Sequence, residues 1–367
     1  MTFQNTLETT RPNNTEQLRK LGWNDHFEQQ LAAMQMEREQ AVRVLSVQRG
    51  QFLVGNGEKE WLCAPTGKLL HQSVEYPVTG DWATANETVL SRVIPRKNIL
   101  CRGESGSRSK HNQAATQDQP IGANIDTVFI VCGLDRDYNL RRLERYLALI
   151  YNCGISPVIV LTKADLHEAP ETFRYEVEDI AFGVPVVLSS ILTGSGVNEL
   201  HTYLAPGQTV AMLGSSGAGK STLTNMLHGS EIQATAEVSS KVGKGRHTTT
   251  TRELIQMPQG GMLLDNPGIR EIAFYTDGDG LETAFPEIQL LSESCRFADC
   301  SHEQEPGCAV LRAVESGELP MDRFESYRKM KREMEYVAAR SEKSANRVEK
   351  ERWKKIALRI RQMENIK

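Results

Sequence analysis

The stretch TVAMLGSSGAGKST at residues 209–222 sets Gly214 and Gly219 on either side of four residues, with Lys220 and Ser221 directly after, in the spacing G-x-x-x-x-G-K-[ST]. An apolar run precedes it and a helical pattern, Ser221–Leu227, follows it. The glycines let such a loop wrap tightly, so that successive backbone N–H groups converge on phosphate oxygens. The N-terminus of the following helix adds its positive dipole end. Gly214, Ser215, Ser216, Gly217, Ala218, Gly219, Lys220, Ser221 and Thr222 are therefore candidate phosphate-binding residues. Lys220 would reach the β- and γ-phosphates, and the Ser221 hydroxyl would hold Mg²⁺.

A phosphate loop does not choose the base. Upstream, IVLTKADL (159–166) ends an apolar run on Thr162, Lys163, Ala164 and Asp165, the pattern of an N/T-K-x-D guanine motif. A carboxylate there accepts from both N1–H and the N2 amino group of guanine, donors that adenine lacks. Further on, VVLSS brings Ser189 and Ser190 to another strand end, as a second base-contacting loop. Downstream, MLLDNPGIR (262–270) has the D-x-x-G pattern: Asp265 would hold Mg²⁺ through a water and the Gly268 N–H would sense the γ-phosphate. Between them GKGRHTTTTRE (243–253) occupies the switch I position. Thr249 and Thr250 are both candidates for closing on Mg²⁺, because the threonine run leaves the register open.

The order of these motifs is informative. GTPases ordinarily run phosphate loop, switch I, switch II, base motif, second base loop, whereas here the base motif and its partner come first. The sheet can be unchanged if the chain is re-joined at different ends. Switch II then leads directly into the C-terminal region, so loss of the γ-phosphate is expected to move that region.

The rest of the chain places this unit among others. Its 367 residues suffice for two or three domains. Residues 1–38 read as a polar extension with one helix, having Leu18, Leu21, Trp23, Phe27, Leu31 and Met34 on one face. Residues 39–101 hold short alternating runs broken by glycines, the signature of a small antiparallel barrel of the five-stranded OB type. Residues 102–121 read as a polar linker. Over 122–280, apolar runs (127–132, 157–162, 185–188, 209–213, 253–257 and 262–264) alternate with helical segments, as in a parallel sheet covered on both faces. Residues 281–345 read as a helical, cysteine-bearing domain and 346–367 as a basic tail.

Within that helical region CRFADCSHEQEPGC (295–308) spaces Cys295, Cys300, His302 and Cys308 as C-x4-C-x-H-x5-C. Three thiolates and one imidazole suit a closed tetrahedral Zn²⁺ site with a folding role and no vacant position for a reacting water. That argues against a zinc-dependent hydrolase.

Composition limits the class further. Hydrophobic residues make up 39% and charged residues 25%, the N-terminus lacks a secretory apolar core, and no run is long enough to span a bilayer. Seven cysteines, three of them clustered, favour a reduced cytoplasmic setting with one metal site over a disulfide framework. Residues 322–367 hold 15 Lys or Arg against 8 Asp or Glu, a balance of +7 on a chain whose net charge is −4. Such a segment suits a polyanionic partner, or else a solvated, salt-bridged helix.

Taken together, the barrel with Gly80-Asp81-Trp82, the lead-in GANID (122–126), TKAD, GSSGAGKST, GRHTTT, DNPG and the cysteine cluster resemble the RsgA (YjeQ-type) circularly permuted GTPases over about residues 40–340. The resemblance implies an N-terminal OB-fold, a central GTPase domain and a zinc-bearing helical C-terminal domain. It also implies a monomeric cytoplasmic protein without membrane association, acting in late assembly of the small ribosomal subunit. It would bind GTP/GDP with Mg²⁺ and ribosomal RNA, and the subunit would stimulate its hydrolysis. Two positions depart from the family pattern: Thr162 stands where asparagine is more usual, and Asn266 where threonine is. The residue after Gly268 is Ile269, which cannot orient a water as a glutamine there does. His247 in switch I is the candidate catalytic residue, with a contact to RNA as its rival role. The competing functional classes are a P-loop ATPase and a nucleotide-holding RNA-binding module in which hydrolysis is incidental.

Overall fold

Along the strand Thr127–Gly133 (β8), Val128, Ile130 and Cys132 pack into one apolar core, and Phe129 and Val131 into a second. A strand buried on both faces requires that alternation. Ile159 and Leu161 against Val158 and Val160 repeat it on Ser156–Thr162 (β9). The computed structural model describes residues 14–71, 76–102, 119–232, 252–265 and 279–342. His247, Thr249, Thr250, Gly268 and the tail 346–367 lie outside the described residues.

With Val186–Leu188 (β10), Thr209–Leu213 (β11) and Met262–Asp265 (β13), these strands form a parallel array in the order β10-β9-β8-β11-β13. The expectation of a wholly parallel sheet fails at its edge. Glu253–Gln256 (β12) runs antiparallel to β13, with Leu254 opposite Leu264. The cause is the connection, a tight turn in which the Met257 N–H donates to the Gly261 carbonyl at 2.8 Å. It is far too short for a crossover, which a parallel pair needs.

The N-terminal barrel consists of Ala41–Gln48 (β1), Gln51–Gly55 (β2), Glu60–Pro65 (β3), Trp82–Asn86 (β4) and Val89–Val93 (β5). The strands follow the order β1-β2-β3-β5-β4, and β4 closes on β1 through Val42 and Ala83. β3 and β5 pair in parallel, and the helix Gly67–His71 follows β3 directly. The interior holds Val42, Val44, Phe52, Val54, Cys63 and Leu90. The five strands are a closed barrel. It is continuous with the larger sheet, because Ser46 of β1 pairs with Glu253 of β12.

The expected single N-terminal helix is two, Asn14–Lys20 (α1) and Asp25–Ala33 (α2), separated by a turn at Leu21–Gly22. The apolar residues of that stretch still face one way, and Leu18, Trp23, Phe27 and Leu31 are buried in the main core. Trp23 meets Trp82 of the barrel edge-on at 4.8 Å between ring centres. The described part of the extension is therefore a packed element.

Arg43, on β1, is the polar hinge of this junction. Its guanidinium is buried and donates to the Leu21 carbonyl at 2.7 Å, the Asn124 carbonyl at 3.1 Å and the Thr209 hydroxyl at 3.3 Å. Burial pushes its pKa down to about 10, which leaves it charged at neutral pH. One side chain thus joins the helix pair, the barrel and the strand that leads into the phosphate loop.

Residues 102–121, read as a linker, begin and end on paired strands, Ile99–Arg102 (β6) and Gln119–Ala123 (β7). The ends of the excursion therefore lie side by side.

Among the described residues after 279 the chain is helical: Gly280–Ala284 (α8), Pro286–Glu293 (α9), Ala309–Ser316 (α10) and Met321–Glu342 (α11). This region packs on the helix Leu140–Asn152 (α4) of the sheet domain. A Cβ on Gly280 would lie 2.3 Å from the Ala148 carbonyl oxygen, so the approach admits only glycine. At the centre Glu144 of α4, fully buried, accepts from Arg323 of α11 at 2.8 Å. Arg323 also donates to Glu287 at 2.7 Å and lies 4.2 Å over the ring of Phe285. Desolvating both groups offsets much of the attraction in such a buried charged pair, so its net contribution to stability is modest, but removing one partner would leave the other charge buried and unpaired. Among the described residues no helix is long and apolar enough to cross a membrane.

Candidate nucleotide site and metal cluster

The phosphate loop leaves β11 at Gly214 and enters the helix Lys220–His228 (α7). Gly214 has φ +152°, and a Cβ there would lie 2.2 Å from the Val131 carbonyl oxygen. Only glycine lets the chain turn so close to β8. Lys220 points back into the loop and donates to the carbonyls of Gly214 at 2.8 Å and Ser215 at 2.6 Å. An anion seated in the loop would meet this ammonium together with the N–H groups of the first turn of α7, where Ser221 and Thr222 lie.

The base motif sits at the end of β9, beside this loop. The Thr162 hydroxyl donates to the Ala218 carbonyl at 2.6 Å. The threonine that replaces the more usual asparagine therefore still reaches the phosphate loop. Lys163 adopts the left-handed conformation at φ +60°, which costs about 1 kcal/mol for a residue with a Cβ. Two contacts hold its ammonium, the Gly217 carbonyl at 2.7 Å and the Asp135 carboxylate at 2.7 Å. The Ala164 N–H donates to the Ser189 carbonyl at 3.2 Å, and the Ser190 hydroxyl donates to Asp165. Thr162, Lys163, Asp165, Ser189, Ile191, Gly219, Thr222, Leu223 and Met226 line a cavity of about 180 Å³. The structure thus brings 162–165, 189–190 and 214–222 together, despite their inverted order in the chain. The cavity opens at the carboxyl ends of β9, β10 and β11, where open α/β sheets hold their ligands.

Asp265 ends β13, which pairs in parallel with β11 through Ala211 and Leu264. Its backbone therefore lies beside the end of β11, from which the phosphate loop starts.

Two further residues of this site, Asp135 and Asp137, lie in the loop GLDRDYN between β8 and α4, outside the sequence motifs. The hydrogen bond from Lys163 holds the Asp135 carboxyl below the usual carboxylate range. The available signal was two acids directly after a strand that borders the phosphate loop.

A second constellation lies in the C-terminal region. The ligand atoms of Cys295, Cys300, His302 and Cys308 lie within 4.8 Å of one another. Cys295 and Cys308 Sγ are 3.9 Å apart, and His302 Nδ1 is 3.7 Å and 3.4 Å from them. Zinc–sulfur bonds of about 2.3 Å and zinc–nitrogen bonds of about 2.0 Å in a tetrahedron give edges close to these. Two sulfurs also accept backbone donors, Cys295 from Ala309 and Cys308 from Leu311, each at 3.4 Å, which orients them within the cluster. The four residues can hold one metal ion.

The model of the RsgA GTPase family matches residues 93–275. The small ribosomal subunit biogenesis GTPase RsgA of Syntrophotalea carbinolica is 39% identical over 347 residues, covering 92% of this chain and 95% of the relative. The chain belongs to the RsgA GTPase family. The RsgA of Opitutus terrae is 40% identical over 367 residues, covering 95% and 98% of the two chains. Among solved structures, YjeQ from Thermotoga maritima superposes with a TM-score of 0.59 at 28% identity, covering 80% of this chain and 98% of its own. YloQ, described as a circularly permuted GTPase, shares the fold with a TM-score of 0.55 at 23% identity, covering 82% and 95%. As an RsgA GTPase with this strand order, the chain is a circularly permuted, GTP-hydrolysing enzyme.

Proposed function

We propose that this protein is a cytoplasmic, monomeric GTP-driven switch of late small-subunit assembly, which binds ribosomal RNA and hydrolyses GTP faster when docked on the subunit. The observation that carries the reading is the bridge from Thr162 to Ala218, which joins a base-reading strand end to a phosphate loop around one cavity. Asp165 reads guanine, Lys220 and the loop N–H groups hold the phosphates, and Ser221 and Asp265 would hold Mg²⁺, which neutralises charge on the transferring phosphoryl group. The Gly268 N–H senses the γ-phosphate, Thr249 or Thr250 closes on Mg²⁺ when GTP is bound, and His247 orients the attacking water. Cys295, Cys300, His302 and Cys308 hold a structural Zn²⁺ that staples the C-terminal domain, with no role in the reaction. Relatives 38% to 43% identical bear the name small ribosomal subunit biogenesis GTPase, which supports the partner.

GTP turnover by the full chain, with purified small subunits added and omitted, tests this reading. Slow turnover alone and faster turnover with subunits are expected. Equal rates would remove the subunit as activator and favour a nucleotide-holding RNA-binding module. Wild-type turnover by His247→Ala with saturating subunits would remove His247 from the reaction.

A further inference from the structure

The loop 133–139 carries a carboxylate that none of the guanine-nucleotide motifs uses. Asp137 is nearly buried, its side chain 11% exposed, and every hydrogen bond it makes fastens something. One carboxylate oxygen accepts from the hydroxyl of Ser215, the first residue of the phosphate loop after Gly214, and from the Arg142 guanidinium at 2.5 Å. The other accepts from the Gly133 N–H at 3.1 Å, at the end of β8. Arg142 also donates to the Asp137 carbonyl.

An anion beside a cradle built for phosphates is unfavourable by itself. Arg142 offsets the charge, and the hydrogen bonds compensate the lost hydration. What remains is geometric: β8 and α4 grip the phosphate loop through a single serine hydroxyl.

We propose that Asp137 is a positioning residue of the nucleotide site, holding the phosphate loop closed through the Ser215 hydroxyl and so slowing nucleotide release. This rests on the guanine-nucleotide reading of the site. Asp137 acts through Ser215, whose hydroxyl donates to it. Asparagine cannot replace it, because its one acceptor oxygen cannot serve donors on both sides and its amide would face a donor on the other.

The test is the dissociation rate of fluorescently labelled GDP from the full chain, chased with unlabelled GDP. Asp137→Asn is expected to speed release about tenfold, the scale of one lost charge-assisted hydrogen bond. Ser215→Ala should do nearly as much. The double variant should be no faster than Asp137→Asn alone, because both remove one contact. Ser215→Thr, which keeps the hydroxyl, should return close to the wild-type rate. A double variant whose effect is the product of the two single effects would overturn the proposal. So would Ser215→Ala at the wild-type rate, which decides the matter even if Asp137→Asn fails to fold. Failure of the wild-type chain to retain labelled GDP would instead overturn the site reading, and the proposal with it.

Discussion

The hydroxyl of Thr162 donates to the carbonyl of Ala218 over 2.6 Å, fastening the end of β9 to the phosphate loop 56 residues further along the chain. In this permuted order no short covalent connection holds the base motif beside the cradle. Side-chain bridges do so, this one and the Lys163 bond to Gly217 at 2.7 Å.

Thr162→Val removes the bridge at nearly constant volume and leaves the Ala218 carbonyl without that donor. GDP affinity should fall about tenfold, on the scale of one unsatisfied buried group. Isothermal titration measures it. Thr162→Ser, which keeps the hydroxyl, should retain most of the affinity, and loss of binding in both would assign the role to the methyl group instead.

Arg43→Met should destabilise the whole chain by about 3 kcal/mol, because the Leu21 and Asn124 carbonyls and the Thr209 hydroxyl all lose a buried charged partner. Urea unfolding reads the change. A midpoint equal to wild type would mean that the three elements are joined by apolar packing alone.

Cys308→Ser should abolish stoichiometric zinc and melt the helices beyond residue 279, as judged by elemental analysis and circular dichroism. GDP binding should persist, since the cavity residues belong to the sheet domain. A metal-free chain with unchanged helicity would contradict the folding role.

The Asp135–Lys163 pair has a definite sign with pH. The folded carboxyl sits below its ordinary value near 4, so the pair contributes fully above that pH and its contribution is lost as pH falls through the lower folded value. The stability difference between wild type and Asp135→Asn should therefore be present at neutral pH and vanish in strong acid. A third of each side chain is exposed, so the difference should be small. A difference that grew as pH fell would assign the low carboxyl pKa to another group.

The legible parts of this chain were those with backbone demands. Gly214 must be glycine where β11 turns against the Val131 carbonyl, and the four metal-cluster residues meet from within one short segment, 295–308, so their spacing is visible in the sequence. Sheet strands such as β8 were legible because two-faced burial forces an unbroken apolar run. What stayed hidden were single polar residues whose partners are remote. Arg43 looks like an ordinary surface residue of an alternating strand until Leu21, Asn124 and Thr209 surround it. Glu144 reads as one charge on a helix, yet it is fully buried because Arg323 arrives 179 residues later. Asp137 belongs to no spacing pattern, and only tertiary structure brings Ser215 to it. The break between α1 and α2 leaves no trace in the pattern because both helices share one apolar stripe across the turn.

The most direct measurement is a titration of GDP and ADP into the wild-type chain, Lys220→Ala and Asp165→Ala. The wild type should prefer GDP by roughly a hundredfold or more. Lys220→Ala should weaken both nucleotides alike, while Asp165→Ala should erase the preference, because both residues face one bound molecule. A preference for GDP that survives Asp165→Ala intact would mean that the loop at 214–221 and the strand end at 162–165 do not close on the same nucleotide.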